Sequence, residues 1–124
     1  MDIIISNSSG KPIYEQITSQ IKGMIMNGTL KAGDALPSMR LLAKELRISV
    51  ITTKRAYEDL ERDGFITTVV GKGSFVKETD TEFVKEEQLR RVEEQLQAAI
   101  DLAKQYGIDL PELNELMTML YEEA

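Results

Sequence analysis

Apolar residues along the chain fall into short periodic runs separated by glycine, proline and capping residues, and the periods name the elements. Ile3, Ile4 and Ile5 are β-branched and run into Ser6, Asn7 and Gly10, which predicts a short strand or an arm lying on the body. Pro12 opens a helix at a position where its missing N–H costs nothing. Ile13, Ile17, Ile21 and Met24 recur at helical spacing, and Gly28 stops the run. Gly33 and Pro37 then mark a loop. Ser38 is a good N-cap for a second, short helix with Met39, Leu42, Ala43 and Leu46 at i, i+3, i+4 and i+7. Ser49 is a second N-cap, after which Thr53, Ala56, Tyr57 and Leu60 repeat the same spacing down to Gly64.

Residues 65–70 are all strand formers, Gly71, Lys72 and Gly73 supply a turn, and Ser74, Phe75 and Val76 form the return strand. Residues 77–82 read as a polar linker, with Thr79 and Glu82 at capping-box spacing. Beyond it Leu89, Val92, Leu96, Ala99, Ala103 and Tyr106 step by three and four, a heptad-like stripe on an otherwise charged helix. Gly107 ends that helix and Pro111 starts another, whose apolar face is Leu113, Leu116, Met117 and Leu120.

The order of elements predicts a mainly α fold with a small β-hairpin: a winged helix-turn-helix over residues 1–76 and a helical hairpin over 77–124. In such a unit the third helix enters the major groove of duplex DNA, and the hairpin wing reaches the backbone or minor groove. With Thr53, Ala56, Tyr57 and Leu60 turned inward, the opposite face carries Ile51 and Arg55, flanked by Thr52 and Lys54. Base edges are read mainly from the first turns of a recognition helix, so Ser49 to Arg55 is the expected specificity segment.

Charge at first argues against DNA, since the net formal charge is -6 and polyanionic duplexes favour basic partners. The average hides a split. Residues 1–76 hold ten Lys or Arg against eight Asp or Glu, whereas residues 77–124 hold five against thirteen. Within residues 38–55 the cations Arg40, Lys44, Arg47, Lys54 and Arg55 are opposed by Glu45 alone. The acidic half is expected to face away from a bound duplex.

The chain contains neither Cys nor His, which removes thiolate chemistry, disulfides, the commonest metal ligand and the commonest general base near neutral pH. The Gly71-Lys72-Gly73-Ser74 turn lacks the upstream glycine and the adjacent hydroxyl of a phosphate-binding loop. Glu86, Glu87, Glu93 and Glu94 lie on the polar face of a charged helix and read as solvated. No enzyme activity, metal or cofactor is therefore expected. Neither a charged-then-apolar leader nor an apolar run long enough to span a bilayer occurs, so the expected compartment is the cytoplasm, with no membrane partner.

Four stretches together resemble the GntR family of regulators: Pro12-Ile13-Tyr14-Glu15-Gln16-Ile17, Leu36-Pro37-Ser38-Met39-Arg40-Leu41-Leu42-Ala43, Ala56-Tyr57-Glu58-Asp59-Leu60-Glu61-Arg62-Asp63-Gly64-Phe65, and Gly71-Lys72-Gly73-Ser74-Phe75-Val76. The short tail is similar to the YtrA-like branch, which lacks a large effector-binding domain. The resemblance implies that Arg40 contacts phosphate or a base, that Ser49, Thr52 and Lys54 line the DNA, and that Gly71, Lys72 and Gly73 form a wing tip in the minor groove. The chain departs from the wider family after Ser49, where a guanine-reading arginine is common and Val50 and Ile51 stand instead. Neither can donate a bidentate hydrogen bond, but both can touch a thymine methyl.

The expected function is thus a sequence-specific DNA-binding repressor. It would act as a homodimer, joined through the two tail stripes, on an inverted repeat. The rival reading is a winged-helix protein-docking module. The residues name no small-molecule effector.

Overall fold

A computed structural model describes residues 1–123 and contains seven elements: α1 (Ile13–Met26), α2 (Met39–Leu46), α3 (Val50–Arg62), β1 (Ile66–Val69), β2 (Gly73–Val76), α4 (Thr81–Gln105) and α5 (Leu110–Glu123). They divide into two compact units, the second beginning at Thr81. The first unit runs through Asp80, and at its end the Lys77 N–H donates back to the Phe65 carbonyl at 2.9 Å.

The first unit is built on helices whose ends are fixed locally. Ser38 accepts from the Leu41 N–H and Ser49 from the Thr52 N–H, both at 3.1 Å, so each short helix starts where its cap residue predicts. One face of each helix is buried: Ile17, Ile21 and Ile25 of α1, Leu42 and Ala43 of α2, and Thr53, Ala56, Tyr57 and Leu60 of α3, with Ile66 and Val76 of the hairpin closing the core. Each large apolar side chain so enclosed contributes about 1.5–3 kcal/mol. Ile25, rather than the expected Met24, takes the last core position of α1, one step round the helix. Tyr57 lies at the centre, and its hydroxyl donates to the Pro37 carbonyl at 2.7 Å.

The amino-terminal arm lies on α1 through two glutamines one turn apart. Ile4 exchanges both backbone hydrogen bonds with the Gln20 amide (2.9 and 2.7 Å), and Ser6 does the same with Gln16 (2.8 and 2.9 Å). The side-chain amides satisfy an extended backbone in place of a neighbouring strand. At the other end of α1, Lys22 pairs with Asp63 at 2.9 Å and stands over the Phe65 ring at 5.3 Å. The hydrogen bond from Lys22 holds the Asp63 carboxyl below its usual value.

β1 and β2 pair antiparallel, Ile66 opposite Val76 and Val69 opposite Gly73. The Lys72 N–H closes the turn onto the Val69 carbonyl at 2.9 Å, and Gly71, at φ 78, fills the third turn position, where a type II turn needs positive φ. The stretch expected to be only loop does more. Ala35 bridges Phe75, and backbone bonds from Gly33 to Val76, Val76 to Asp34 and Leu36 to Ser74 (2.8, 2.8 and 2.9 Å) add a minimal third edge to the hairpin. On the opposite edge, the Glu61 carboxylate accepts from the Thr68 N–H at 2.8 Å and braces the wing against α3.

In the second unit α4 begins at Thr81 rather than directly after the expected Thr79 cap, and the Thr79 hydroxyl donates to the Lys77 carbonyl at 3.1 Å. Gly107 (φ 74) ends α4. Asp109 caps α5 by accepting from the Glu112 N–H at 3.1 Å. The two helices follow one another across a short turn within this unit, as expected of a helical hairpin. Between them lies an open apolar groove of about 590 Å³, lined by Leu96, Ala99 and Ile100 on α4 and by Leu113, Leu116, Met117 and Leu120 on α5, among others. No helix among the described residues is long and apolar enough to cross a membrane.

Candidate nucleic-acid interface

The exposed surface of the helix-turn-helix is assembled by the two serine caps. Ser49 does two jobs. Its oxygen caps α3, and it shares a 2.8 Å hydrogen bond with the Thr52 hydroxyl, so one hydroxyl proton of the pair is left to donate outward. Directly after it, Val50 is 44% and Ile51 81% exposed. Ile51 is thus free of the core, in the first turn of α3.

The cations divide by location. Toward the back of the unit, Lys22 is tied to Asp63, and Arg62 pairs with Asp59 at 3.1 Å. Around the turn and the wing, Arg40, Lys44, Arg47 and Lys72 are exposed and have no acidic partner among the described residues. Lys54 has only an exposed i,i+4 pair with Glu58 at 3.8 Å, which is worth a few tenths of a kcal/mol, roughly, and yields readily to a phosphate. These charges are therefore available to a polyanion. Arg40 sits in the first turn of α2, ahead of the Ser49 cap in the helix-turn-helix order.

Arg55 is placed differently from its neighbours. Its guanidinium carbon lies 3.7 Å from the centre of the Tyr14 ring, so it bridges α3 to α1 at the flank of the face. Sequence reasoning missed this partner. Tyr14 falls off the apolar stripe of α1, and the one available signal was its place in the Pro-Ile-Tyr motif. Glu61 was also missed, because nothing in a helix-end glutamate announces a bond to a strand. At the wing, Gly71, Lys72 and Gly73 form the expected tip, beside a Val70 that is 97% exposed.

The tail residues are mostly unpartnered within the chain. Leu89, Val92, Leu96, Tyr106, Leu116, Met117 and Leu120 are exposed, and Leu113 is half-buried. Ala99 lines the groove. Ala103 departs from the expectation that it faces a second subunit: it is buried by its own chain, under the turn that the Ile108 N–H closes onto its carbonyl at 2.9 Å. Phe83, Leu102, Leu110, Met119 and Tyr121 add exposed apolar surface outside the predicted stripes. Among the described residues no acidic cluster is suited to hold a metal ion.

Comparison with known proteins places this geometry. The profile of the gntR family of bacterial regulatory proteins matches residues 13–76. The transcriptional repressor YtrA of Bacillus subtilis is 38% identical over 113 residues, which is 91% of this chain and 87% of that protein. A crystal structure of a transcriptional antiterminator from Listeria monocytogenes superposes with a TM-score of 0.74 at 29% identity, over 98% of this chain and 90% of that one. The DNA-binding domain of AraR, solved in complex with operator ORE1, superposes with a TM-score of 0.52 at 25% identity, over 61% of this chain and 93% of that one. With its caps, exposed α3 start, wing and matching profile, the chain belongs to the gntR family of bacterial regulatory proteins and is a DNA-binding transcription regulator.

Proposed function

We propose that the protein is a cytoplasmic repressor that binds an inverted-repeat operator as a homodimer, each subunit placing the start of α3 in one major-groove half-site and its wing in the adjacent minor groove. The observation that carries the reading is the exposed, serine-capped start of α3, in a unit whose Arg40, Lys44 and Lys72 are exposed and have no acidic partner among the described residues. The operator complex of the AraR domain and the repressor activity named for YtrA support it. The homodimer is supported by the apolar surface of α4 and α5, which a single chain leaves in water. Repression follows from occupying promoter DNA.

Selection of bound sequences from a random duplex pool at about 150 mM salt tests the proposal, because purely non-specific binding is already weak there. Recovery of an inverted repeat is expected. A pool that stays random would transfer the function to protein docking.

Two further outcomes follow from the docking. Arg40→Ala should weaken operator binding about tenfold and lower the slope of log K against log salt by about 0.9 for each phosphate that Arg40 neutralises; unchanged affinity and slope would remove Arg40 from the interface. Replacing thymine by uracil at each half-site position in turn should reveal at least one position where removal of the methyl weakens binding several-fold, roughly 1 kcal/mol. Val50→Ala or Ile51→Ala should abolish that discrimination, and its absence everywhere would sink the apolar readout.

A further inference from the structure

Among the described residues, three helices end with the same backbone device. At the end of α3 the Phe65 N–H bonds to the Leu60 carbonyl at 2.9 Å and the Gly64 N–H to the Glu61 carbonyl at 3.1 Å; at the end of α4 Ile108 bonds to Ala103 at 2.9 Å and Gly107 to Lys104 at 3.4 Å. The α2 end repeats it, with Ile48 bonded to Ala43 at 3.0 Å and Arg47 to Lys44 at 3.3 Å. The residue in the left-handed conformation is Gly64 (φ 83) in the first, Gly107 (φ 74) in the second and Arg47 (φ 56) in the third, the one non-glycine residue with positive φ among those described. Glycine suits this position because a Cβ there crowds the adjoining carbonyl. A β-carbon stands at one of three equivalent sites, at a cost to stability.

Packing does not account for it. Arg47 is exposed, and its guanidinium has neither an ion pair nor a ring contact among the described residues. Helix-dipole compensation is a weak reason, since Lys44 already supplies a cation to the last turn of α2. What distinguishes this helix end is its place in the chain. The turn leads through Ile48 into Ser49, the cap of α3, within the stretch where five cations face one acid.

We propose that Arg47 is a DNA-backbone contact, with the left-handed turn aiming its guanidinium at a phosphate on the strand flanking the major groove that α3 enters. The inference rests on the docking proposed above. Strain at the turn is retained because only a side chain there reaches that phosphate. Phosphate contacts fix register without reading sequence, so Arg47 strengthens binding to all duplexes and leaves the choice among them to Val50, Ile51 and Thr52.

The test is Arg47→Gly in the full chain, with Arg47→Lys and Arg40→Ala alongside. Arg47→Gly should make the folding equilibrium constant about fivefold larger in denaturant titration, while binding about tenfold more weakly to operator and unrelated duplex alike. Its salt slope should fall by about 0.9 per half-site. Arg47→Lys should keep the slope and the parental stability. Opposite signs for stability and affinity are the signature; a residue that merely caps α2 moves stability alone. Parental affinity and slope in Arg47→Gly would overturn the contact, and unchanged or lower stability would overturn the strain argument. If Arg40→Ala is also silent, the docking itself fails; if Arg40→Ala weakens binding and Arg47→Gly does not, only this inference fails.

Discussion

Replacing Leu96 and Met117 together by glutamate should turn the protein into a monomer at micromolar concentration and weaken operator binding by about a hundred- to ten-thousandfold. Both residues line the groove between α4 and α5, and they are 44% and 45% exposed in the single chain. Putting a carboxylate at each leaves the intrachain packing largely untouched. In a homodimer the same positions are covered, and burying unpaired carboxylates costs several kcal/mol, on the order of the association energy itself. The drop in affinity follows from linkage. Two reading heads on one scaffold convert the second half-site encounter into an intramolecular event at an effective concentration near ~1 mM, whereas separate heads each bind at non-specific-like strength. Sedimentation gives the assembly state, and circular dichroism verifies that the first unit stays folded. A variant that remains dimeric would remove the groove from the interface. A monomer with parental affinity would show that doubling plays no part in recognition.

Much of the reading head is legible in the sequence because its determinants are short-range. The caps Ser38 and Ser49 act within one turn, and the apolar spacing of α3 and the Gly-Lys-Gly turn of the wing are local patterns. What escaped is non-local or depends on conformation. The edge formed by residues 33–36 has no alternating pattern of its own and exists because β2 offers free backbone groups. Arg55 meets Tyr14 only after α1 and α3 have packed. The left-handed turn falls on an arginine, where sequence rules look for glycine. In the tail the stripes were legible but their geometry was not. Heptad spacing states that a helix face needs cover, yet not whether a neighbouring helix or a second copy supplies it, and here an open groove lies between α4 and α5.

The same contrast between local and long-range determinants makes Tyr57 the most informative core position. Its ring is almost fully enclosed, and its hydroxyl reaches back from α3 to the carbonyl of Pro37, the residue before the α2 cap. Tyr57→Ala should cost about 3–5 kcal/mol through the cavity, a large part of the roughly 4–12 kcal/mol that holds a unit of this size together. Tyr57→Phe keeps the ring and leaves the Pro37 carbonyl without its donor, for about 1–2 kcal/mol. The pH dependence separates the hydroxyl from the ring. Burial, with a smaller contribution from Glu45, pushes the Tyr57 phenol far above its ordinary value. The folded state therefore holds the proton after the unfolded chain has released it. Stability from this group is complete below the ordinary phenol value of about 10 and declines as pH rises past it. Tyr57→Phe has no such proton, so the stability gap between parent and variant should narrow above pH ~10. A gap that stays constant through that range would mean that the phenol is not desolvated in the fold, and that its bond to Pro37 does not tie α3 to the start of α2.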